Sequence, residues 1–299
     1  MAGKMHVDEL DIDEALVRRM VAGQFPQWAD LPVEAVDSAG TSNAMYRLGA
    51  DLVVRIPRIP GAVEDIEKEE AWLHRLAPEL PFAVPVPVGL GKPVDGCPWP
   101  WSVLRWLEGV NPVVGSVRQP AVLAADLAEF VTAMHRVDPA GGPASYRSDS
   151  LASRDPAVRR ALSGLAGEVD VAAVTSLWDT ALGAADHPGP PVWIHADLQP
   201  GNLLVDADGR LSAVIDFGCM GLGDPAVDLL PAWYVLPAPV RAAFRTAVAA
   251  DDAAWDRGRG WALSVALMEL DYYRDSNPRM VRTARHVVGE LLADHAGHA

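Results

Sequence analysis

Asp197, Asn202 and Asp216 are the residues of this 299-residue chain whose types and spacing could do chemistry. They lie in Val192-Trp-Ile-His195-Ala-Asp197-Leu-Gln-Pro-Gly-Asn202-Leu-Leu-Val205 and in Val214-Ile-Asp216-Phe-Gly218. Two short apolar runs, Leu203 to Val205 and Leu211 to Ile215, flank the turn-forming cluster Asp206-Ala-Asp208-Gly209-Arg210, which predicts a hairpin. Asp197 and Asn202 stand five apart in the loop before it, and Asp216 ends its second strand, so the hairpin gathers all three at one end of a small sheet. Phosphoryl transfer needs such a set: a carboxylate that orients and deprotonates a hydroxyl, and oxygen ligands for the magnesium that clamps the phosphates. Singly each residue has a plainer reading, Asp197 as a cap, Asn202 as a turn residue, Asp216-Phe217-Gly218 as a strand exit and His195 as a core histidine. The joint pattern, H-x-D-x4-N with D-F-G beginning fourteen positions after the Asn, carries the chemistry.

The elements that must position these residues are legible upstream. Asp11-Ile-Asp-Glu14 predicts a capping box opening a helix with Ile12, Leu16, Met20 and Val21 on one face. Alternation around Val33 to Val36, Met45 to Leu48 and Leu52 to Ile56, with turns at Ser38 to Asn43 and Gly49 to Asp51, predicts a small antiparallel sheet. Arg55 sits inside the third strand, where its charge needs a partner or an exit at the sheet edge. In a helix expected at about 62–77, Ile66, Glu69, Leu73 and Leu76 form one stripe, which buries Glu69 and leaves Glu67, Lys68 and Glu70 solvated. Arg55 and Glu69 could then pair, either structurally or at a phosphate. A Pro- and Gly-rich segment with a strand-like Val84 to Val88 leads to Trp99-Pro-Trp-Ser-Val-Leu-Arg-Trp-Leu107, whose tryptophans read as core. Beyond it, a helix from Pro120 to Arg136 ends near His135, a dipole-capping cation. A loop over 137–155, helical stretches from Pro156 to Ala185, and helices from Pro237 that include Trp255 to Tyr273 complete the chain.

A chain of this length that is 50% hydrophobic can bury a large core, and its length suggests two units. No apolar run approaches a membrane span, and Met1 to Leu10 is too polar for a signal peptide, so a cytoplasmic protein is expected. Cys97 and Cys219 offer neither a disulfide framework nor a metal finger and read as reduced. A net charge of -15 argues against nucleic acid and anionic membrane as partners and would steer a cationic small molecule inward, although it serves solubility equally.

His195-Ala-Asp-Leu-Gln-Pro-Gly-Asn202, Ile215-Asp-Phe-Gly218 and Gly223-Asp-Pro-Ala-Val-Asp228-Leu resemble the core of the aminoglycoside and macrolide phosphotransferase family, and the resemblance extends over most of the chain. Leu52-Val-Val-Arg-Ile-Pro-Arg58 and Leu80-Pro-Phe-Ala-Val-Pro85 are similar to macrolide phosphotransferases in particular. The family implies an α+β, two-lobed, protein-kinase-like fold: a sheet-rich nucleotide-binding N-lobe over 1–107 and a mainly helical catalytic and acceptor-binding C-lobe over 108–299. It implies Asp197 as catalytic base, Asn202 and Asp216 as magnesium ligands, and ATP or GTP as donor. Gln199 departs from the family's usual histidine. By family position, Ser42 and nearby backbone N–H groups would meet the phosphates, and Arg55 with Glu69 would replace the usual Lys–Glu pair. Leu104, Arg105, Trp106 and Leu107 would form the hinge that holds the base. Asp228 would brace the catalytic loop, and Asp224, Glu269, Asp271 and Asp275 would face a cationic acceptor, a role that a solvated helix face explains equally well. The expected activity is O-phosphorylation of a small hydroxylated molecule, foremost an aminoglycoside-type antibiotic. A macrolide 2'-phosphotransferase, a metabolic small-molecule kinase and, from another class, a nucleotide-binding pseudoenzyme are the alternatives.

Overall fold

A computed structural model describes residues 10–36 and 42–297; the expected polar start before Leu10 and the turn residues Ser38 to Thr41 lie outside them. The chain divides into two compact units, Met1–Gly109 with Ala213–Gly218, and Val110–Ser212 with Cys219–Ala299.

In the first unit, helix α1 (Glu14–Gln24) is capped by Asp13, whose carboxylate accepts from the Leu16 N–H at 2.7 Å. The cap is thus two residues later than Asp11. Asp13 has the extended backbone that an N-cap needs, and Ile12 packs on the core ahead of the helix. Strands β1 (Val33–Ala35), β2 (Asn43–Leu48) and β3 (Leu52–Pro57), helix α2 (Val63–Leu76), and strands β4 (Pro87–Gly91) and β5 (Trp101–Arg105) follow. The strands form one antiparallel sheet in the order β1-β2-β3-β5-β4. The strand expected from Val84 starts at Pro87 instead, because Pro85 and Pro87 lack the N–H groups of a regular ladder. Leu16, Val17, Met20 and Val21 of α1 share a core with Tyr46, Leu48, Val54, Ile56, Trp101 and Val103. Trp101 belongs to that core as expected, and only glycine fits opposite it, since a Cβ on Gly91 would lie 2.0 Å from the indole. The buried residues of α2 are Ile66, Glu69, Leu73 and Leu76, the expected stripe. Lys68 departs from expectation: it is half-buried because its ammonium donates to the Gly218 carbonyl at 2.8 Å.

The second unit carries α3 (Pro120–Arg136), α4 (Asp155–Gly164), α5 (Val171–Gly183), β6 (Val192–Ile194) and β7 (Leu203–Val205). Strand β8 (Leu211–Val214) runs across the unit boundary, and β9 (Gly221–Gly223), α6 (Pro231–Tyr234), α7 (Ala238–Ala247), α8 (Asp252–Tyr273) and α9 (Pro278–Ala296) complete the chain. β7 pairs with β8 and β6 with β9. Buried Trp178, Trp193, Trp233, Trp255 and Trp261 fill this core. Helix α8 packs on α4, α5 and α9 and is buried along most of its length; its charged residues are therefore partnered, as in Arg257 with Asp224 and Arg259 with Asp256. Among the described residues no helix is long and apolar enough to cross a membrane.

Candidate active site

The loop between β6 and β7 is built on one buried carboxylate. Asp228, fully buried, accepts the backbone N–H groups of His195 at 3.1 Å and Ala196 at 2.8 Å. Its Oδ2 also meets His135 Nε2 at 3.1 Å, so His135 serves Asp228 as well as ending its helix. These bonds hold Ala196 at φ 69, a left-handed conformation that a non-glycine residue keeps only when its surroundings impose it. His195 is buried and its Nδ1 accepts from the Asp197 N–H at 3.2 Å, so it shapes the turn in the manner of a core histidine.

Asp197 emerges from this turn with its carboxylate 23% exposed. Oδ1 accepts from Arg147 Nη2 at 3.2 Å and Gln199 Nε2 at 3.2 Å, and Oδ2 accepts from Asn202 Nδ2 at 2.9 Å. The same Asn202 nitrogen donates to the Asp197 carbonyl at 2.8 Å, an arrangement that commits the amide N–H groups. Gln199 reaches further, donating to Glu269 Oε1 at 2.8 Å, while the Tyr234 hydroxyl donates to Glu269 Oε2 at 3.1 Å. Of the four carboxylates expected on the acceptor side, Glu269 is the one whose described contacts join this network. Asp224 caps the turn at Pro225–Leu229 and pairs with Arg257 at 2.7 Å. Asp271, two positions beyond Glu269 and so on the opposite face of α8, stands 3.7 Å from Arg274, and Asp275 is exposed past the helix end. Arg147 and the bridging role of Gln199 were not foreseen: Arg147 comes from a loop fifty residues upstream, with no motif to mark it.

Burial pushes the Glu269 carboxyl from 4.5 up to about 7; the charge of Asp197 adds to the rise, while bonds from Gln199 and Tyr234 and the charge of Arg147 oppose it. Because the folded-state value is the higher one, this group's contribution to stability is complete below the unfolded value and is lost as pH rises through the folded value. At about 1.4 kcal/mol per tenfold change in proton affinity, the loss by about pH 8 is about 3 kcal/mol. Glu269→Gln, neutral at every pH, is therefore expected to gain melting temperature relative to wild type between about pH 5 and pH 8. Parallel melting curves over that range would show that Glu269 ionises alike in the folded and unfolded chain.

In the first unit, Glu69 Oε2 accepts from Arg55 Nη1 at 2.5 Å and Oε1 from the Phe217 N–H at 2.9 Å. Arg55 Nη2 donates to Asp216 Oδ1 at 3.2 Å, and Asn43, with its amide oxygen turned to Arg55, accepts from Nη2 and Nε. Burial works against the Arg55 charge, but Glu69 and Asp216 outweigh it and hold its pKa above the usual guanidinium range. Residues 213–218 group with the first unit. A Cβ on Gly218 would come within 2.6 Å of the Asp65 carboxyl carbon, so glycine is what lets α2 lie this close. Asp216 adopts φ 62 and its side chain is 49% exposed, a carboxylate presented to solvent. A solvent-facing carboxylate is a ligand of the kind that magnesium accepts when phosphates and water supply the rest. Among the described residues no three His, Cys, Asp or Glu side chains form a metal cluster.

The expected hinge and phosphate-loop residues are placed as follows. Leu104 is buried in β5, and Arg105 lines a cavity of about 260 Å³ with Trp28, Leu31, Leu48, Ala50, Asp51 and Leu52. Trp106 lies under the Arg47 guanidinium at 3.9 Å and its backbone N–H donates to the Asp51 carbonyl at 2.8 Å, and Leu107 is half-buried. Ser42 accepts from the Arg58 N–H through its carbonyl at 2.8 Å.

The model of the phosphotransferase enzyme family matches residues 35–261. The chain belongs to that family. Among solved structures, a mutant of aminoglycoside 2'-phosphotransferase-IIIa in complex with GDP is 20% identical to this phosphotransferase, covers 96% of it and 99% of its own chain, and has a TM-score of 0.74. The GDP and kanamycin complex of APH(2")-IIia is 20% identical, with 95% and 99% covered and a TM-score of 0.71. Macrolide 2'-phosphotransferase MphH from Brachybacterium faecium, as apoenzyme, is 21% identical, with 91% and 96% covered and a TM-score of 0.63. No curated protein sequence matches this phosphotransferase. At these identities the likeness establishes the fold, which is the α+β, kinase-like one with an antiparallel five-stranded sheet followed by a helical part.

Proposed function

We propose that the chain transfers the γ-phosphoryl group of ATP or GTP to a hydroxyl of a small cationic acceptor of the aminoglycoside type. The observation that carries this is the Asp197 carboxylate, held by Arg147, Gln199 and Asn202 yet still partly open to solvent. A carboxylate so fixed can orient a hydroxyl in line with a phosphate and take its proton. Asn202 and Asp216 would hold magnesium, which would neutralise the phosphate charge. Arg55, kept in place by Glu69, joins them on the phosphates, and Ser42 and the hinge residues Leu104 to Leu107 accompany the nucleotide. Related structures bound to GDP support a nucleotide donor, and one bound to kanamycin supports an aminoglycoside acceptor. The acidic balance of -15 favours a cation over a neutral acceptor. Reduced cysteines and triphosphate as co-substrate fit a cytoplasmic enzyme.

The Leu80 to Pro85 segment and the likeness to MphH favour a macrolide as second reading. A single-turnover assay with γ-labelled ATP and GTP against a panel of aminoglycosides, macrolides and small metabolic alcohols decides between them. Phosphorylation of at least one aminoglycoside is expected, with kcat/KM falling steeply as salt rises, because several ammonium groups are steered at once. Transfer only to macrolides, nearly insensitive to salt, would move the acceptor class and leave the chemistry. Nucleotide binding without transfer to any acceptor would make the chain a pseudoenzyme.

A further inference from the structure

We propose that Arg147 is a further catalytic residue, whose guanidinium meets the phosphoryl group as it passes to the hydroxyl held at Asp197. The proposal rests on the phosphotransfer function above and adds to it a cation from outside the catalytic motif.

The backbone that carries Arg147 is fixed against the segment after Gly218. Ser145 N–H donates to the Leu222 carbonyl, Tyr146 N–H to the Cys219 carbonyl, and Ser145 Oγ to the Cys219 carbonyl at 2.8 Å. Gly221, at φ 151, lies flat against this loop; a Cβ there would meet the Ser145 nitrogen at 2.5 Å. The Arg147 side chain is only 13% exposed, yet its described polar partners are few for a group with five N–H donors. Nη2 donates to Asp197 Oδ1 at 3.2 Å, and Nη1 faces Cys219 Sγ at 3.5 Å, a weak acceptor. A nearly buried guanidinium held this way has donors to offer an anion.

Two further facts place that anion at the reacting phosphate. From His195 to Asn202 the catalytic loop contains no Lys or Arg, so Arg147 is the cation that the described contacts bring to Asp197. Asp197 Oδ1 is occupied by Arg147 and Gln199, whereas Oδ2 has one donor, Asn202. A carboxylate has about four lone-pair sites, so the remaining one, on Oδ2, is where the acceptor hydroxyl binds. Reacting atoms in line approach to about 3–3.5 Å, which brings the γ-phosphoryl oxygens within reach of a guanidinium on the same carboxylate. In the step, the acceptor oxygen bonds to the γ-phosphorus as the bond to the β–γ bridging oxygen breaks. The electron pair leaves with the nucleoside diphosphate, and the hydroxyl proton passes to Asp197 Oδ2. Arg147 stays charged and donates to the non-bridging oxygens, the role that an arginine supplied in cis plays in other phosphoryl transfers.

The test compares full-length wild type, Arg147→Ala and Arg147→Lys. Readouts are nucleotide affinity by calorimetry, melting temperature, kcat and KM with the acceptors of the panel above, and recovery of kcat by added guanidinium chloride at low millimolar concentration. Arg147→Ala is expected to lower kcat at least about a hundredfold with nucleotide affinity little changed, and guanidinium is expected to restore part of the loss. Arg147→Lys keeps the charge but not the fork and is expected to fall between them; it decides by the same comparison where the alanine variant does not fold. A kcat loss under about tenfold, or a loss carried by KM with no response to guanidinium, overturns the proposal. An inert wild type overturns the phosphotransfer function and this role with it, whereas an active wild type with an active alanine variant overturns this role alone.

Discussion

Asp197→Asn is expected to lower turnover at least about a hundredfold, the low end of what a positioned general base contributes, while nucleotide affinity stays near wild type. The amide keeps the volume and one acceptor oxygen, so the turn built on Asp228 survives: that turn is held by the backbone N–H groups of His195 and Ala196, not by the Asp197 side chain. What changes is the second oxygen. Asn202 Nδ2 donates to Oδ2 at 2.9 Å, and an amide nitrogen in that place would set donor against donor, costing about 1–3 kcal/mol of stability if both groups remain buried. More importantly, no lone pair is left to take the acceptor proton. Single-turnover kinetics on the purified variant, with calorimetry for the nucleotide, separate the two effects. Turnover within about tenfold of wild type at unchanged nucleotide affinity would move the base to another group, of which Glu269, joined to Asp197 through Gln199, is the next candidate.

The stretch from His195 to Asn202 was legible because its contacts are local. Asp197 and Asn202 lie in one loop, and Asn202 bonds Asp197 across five positions, so the spacing already contained the contact. The α2 stripe was legible for the same reason: helical period alone puts Glu69 with Ile66, Leu73 and Leu76. Contacts that close over long separations were not. Arg147 reaches Asp197 from a loop without periodicity, and Glu269 is distinguished from Asp271 only by the face of α8 that packs inward. Asp224 reads as a site carboxylate in sequence because nothing local reveals Arg257 on another helix. Helix starts and strand edges shifted by a few residues, at Asp13 and Pro87, where one side-chain acceptor or one missing N–H decides the boundary.

The Arg55–Glu69 pair is a buried contact whose effects on stability and on kinetics can be separated. Glu69 is 1% exposed and serves two donors, Arg55 and the Phe217 N–H, so Glu69→Ala leaves a buried guanidinium and a backbone N–H without that acceptor. Breaking a buried pair from one side costs about 3–5 kcal/mol, and a large drop in melting temperature is expected. Arg55→Ala leaves Glu69 buried without its countercharge, but the carboxyl keeps the Phe217 N–H and can take up a proton, whereas a guanidinium cannot shed one, so the expected drop is smaller. If the pair also positions phosphates, each single variant raises the nucleotide KM or lowers kcat, and the double variant adds little, since residues acting as a unit are lost together. Arg55→Lys sharpens the distinction. Lysine can still face Glu69 with a point charge but cannot at the same time fork to Asp216 and Asn43, so its kinetic defect should exceed its stability defect. Additive kinetic losses in the double variant would uncouple the two residues, and a melting-temperature loss with unchanged kinetics would make the pair structural alone.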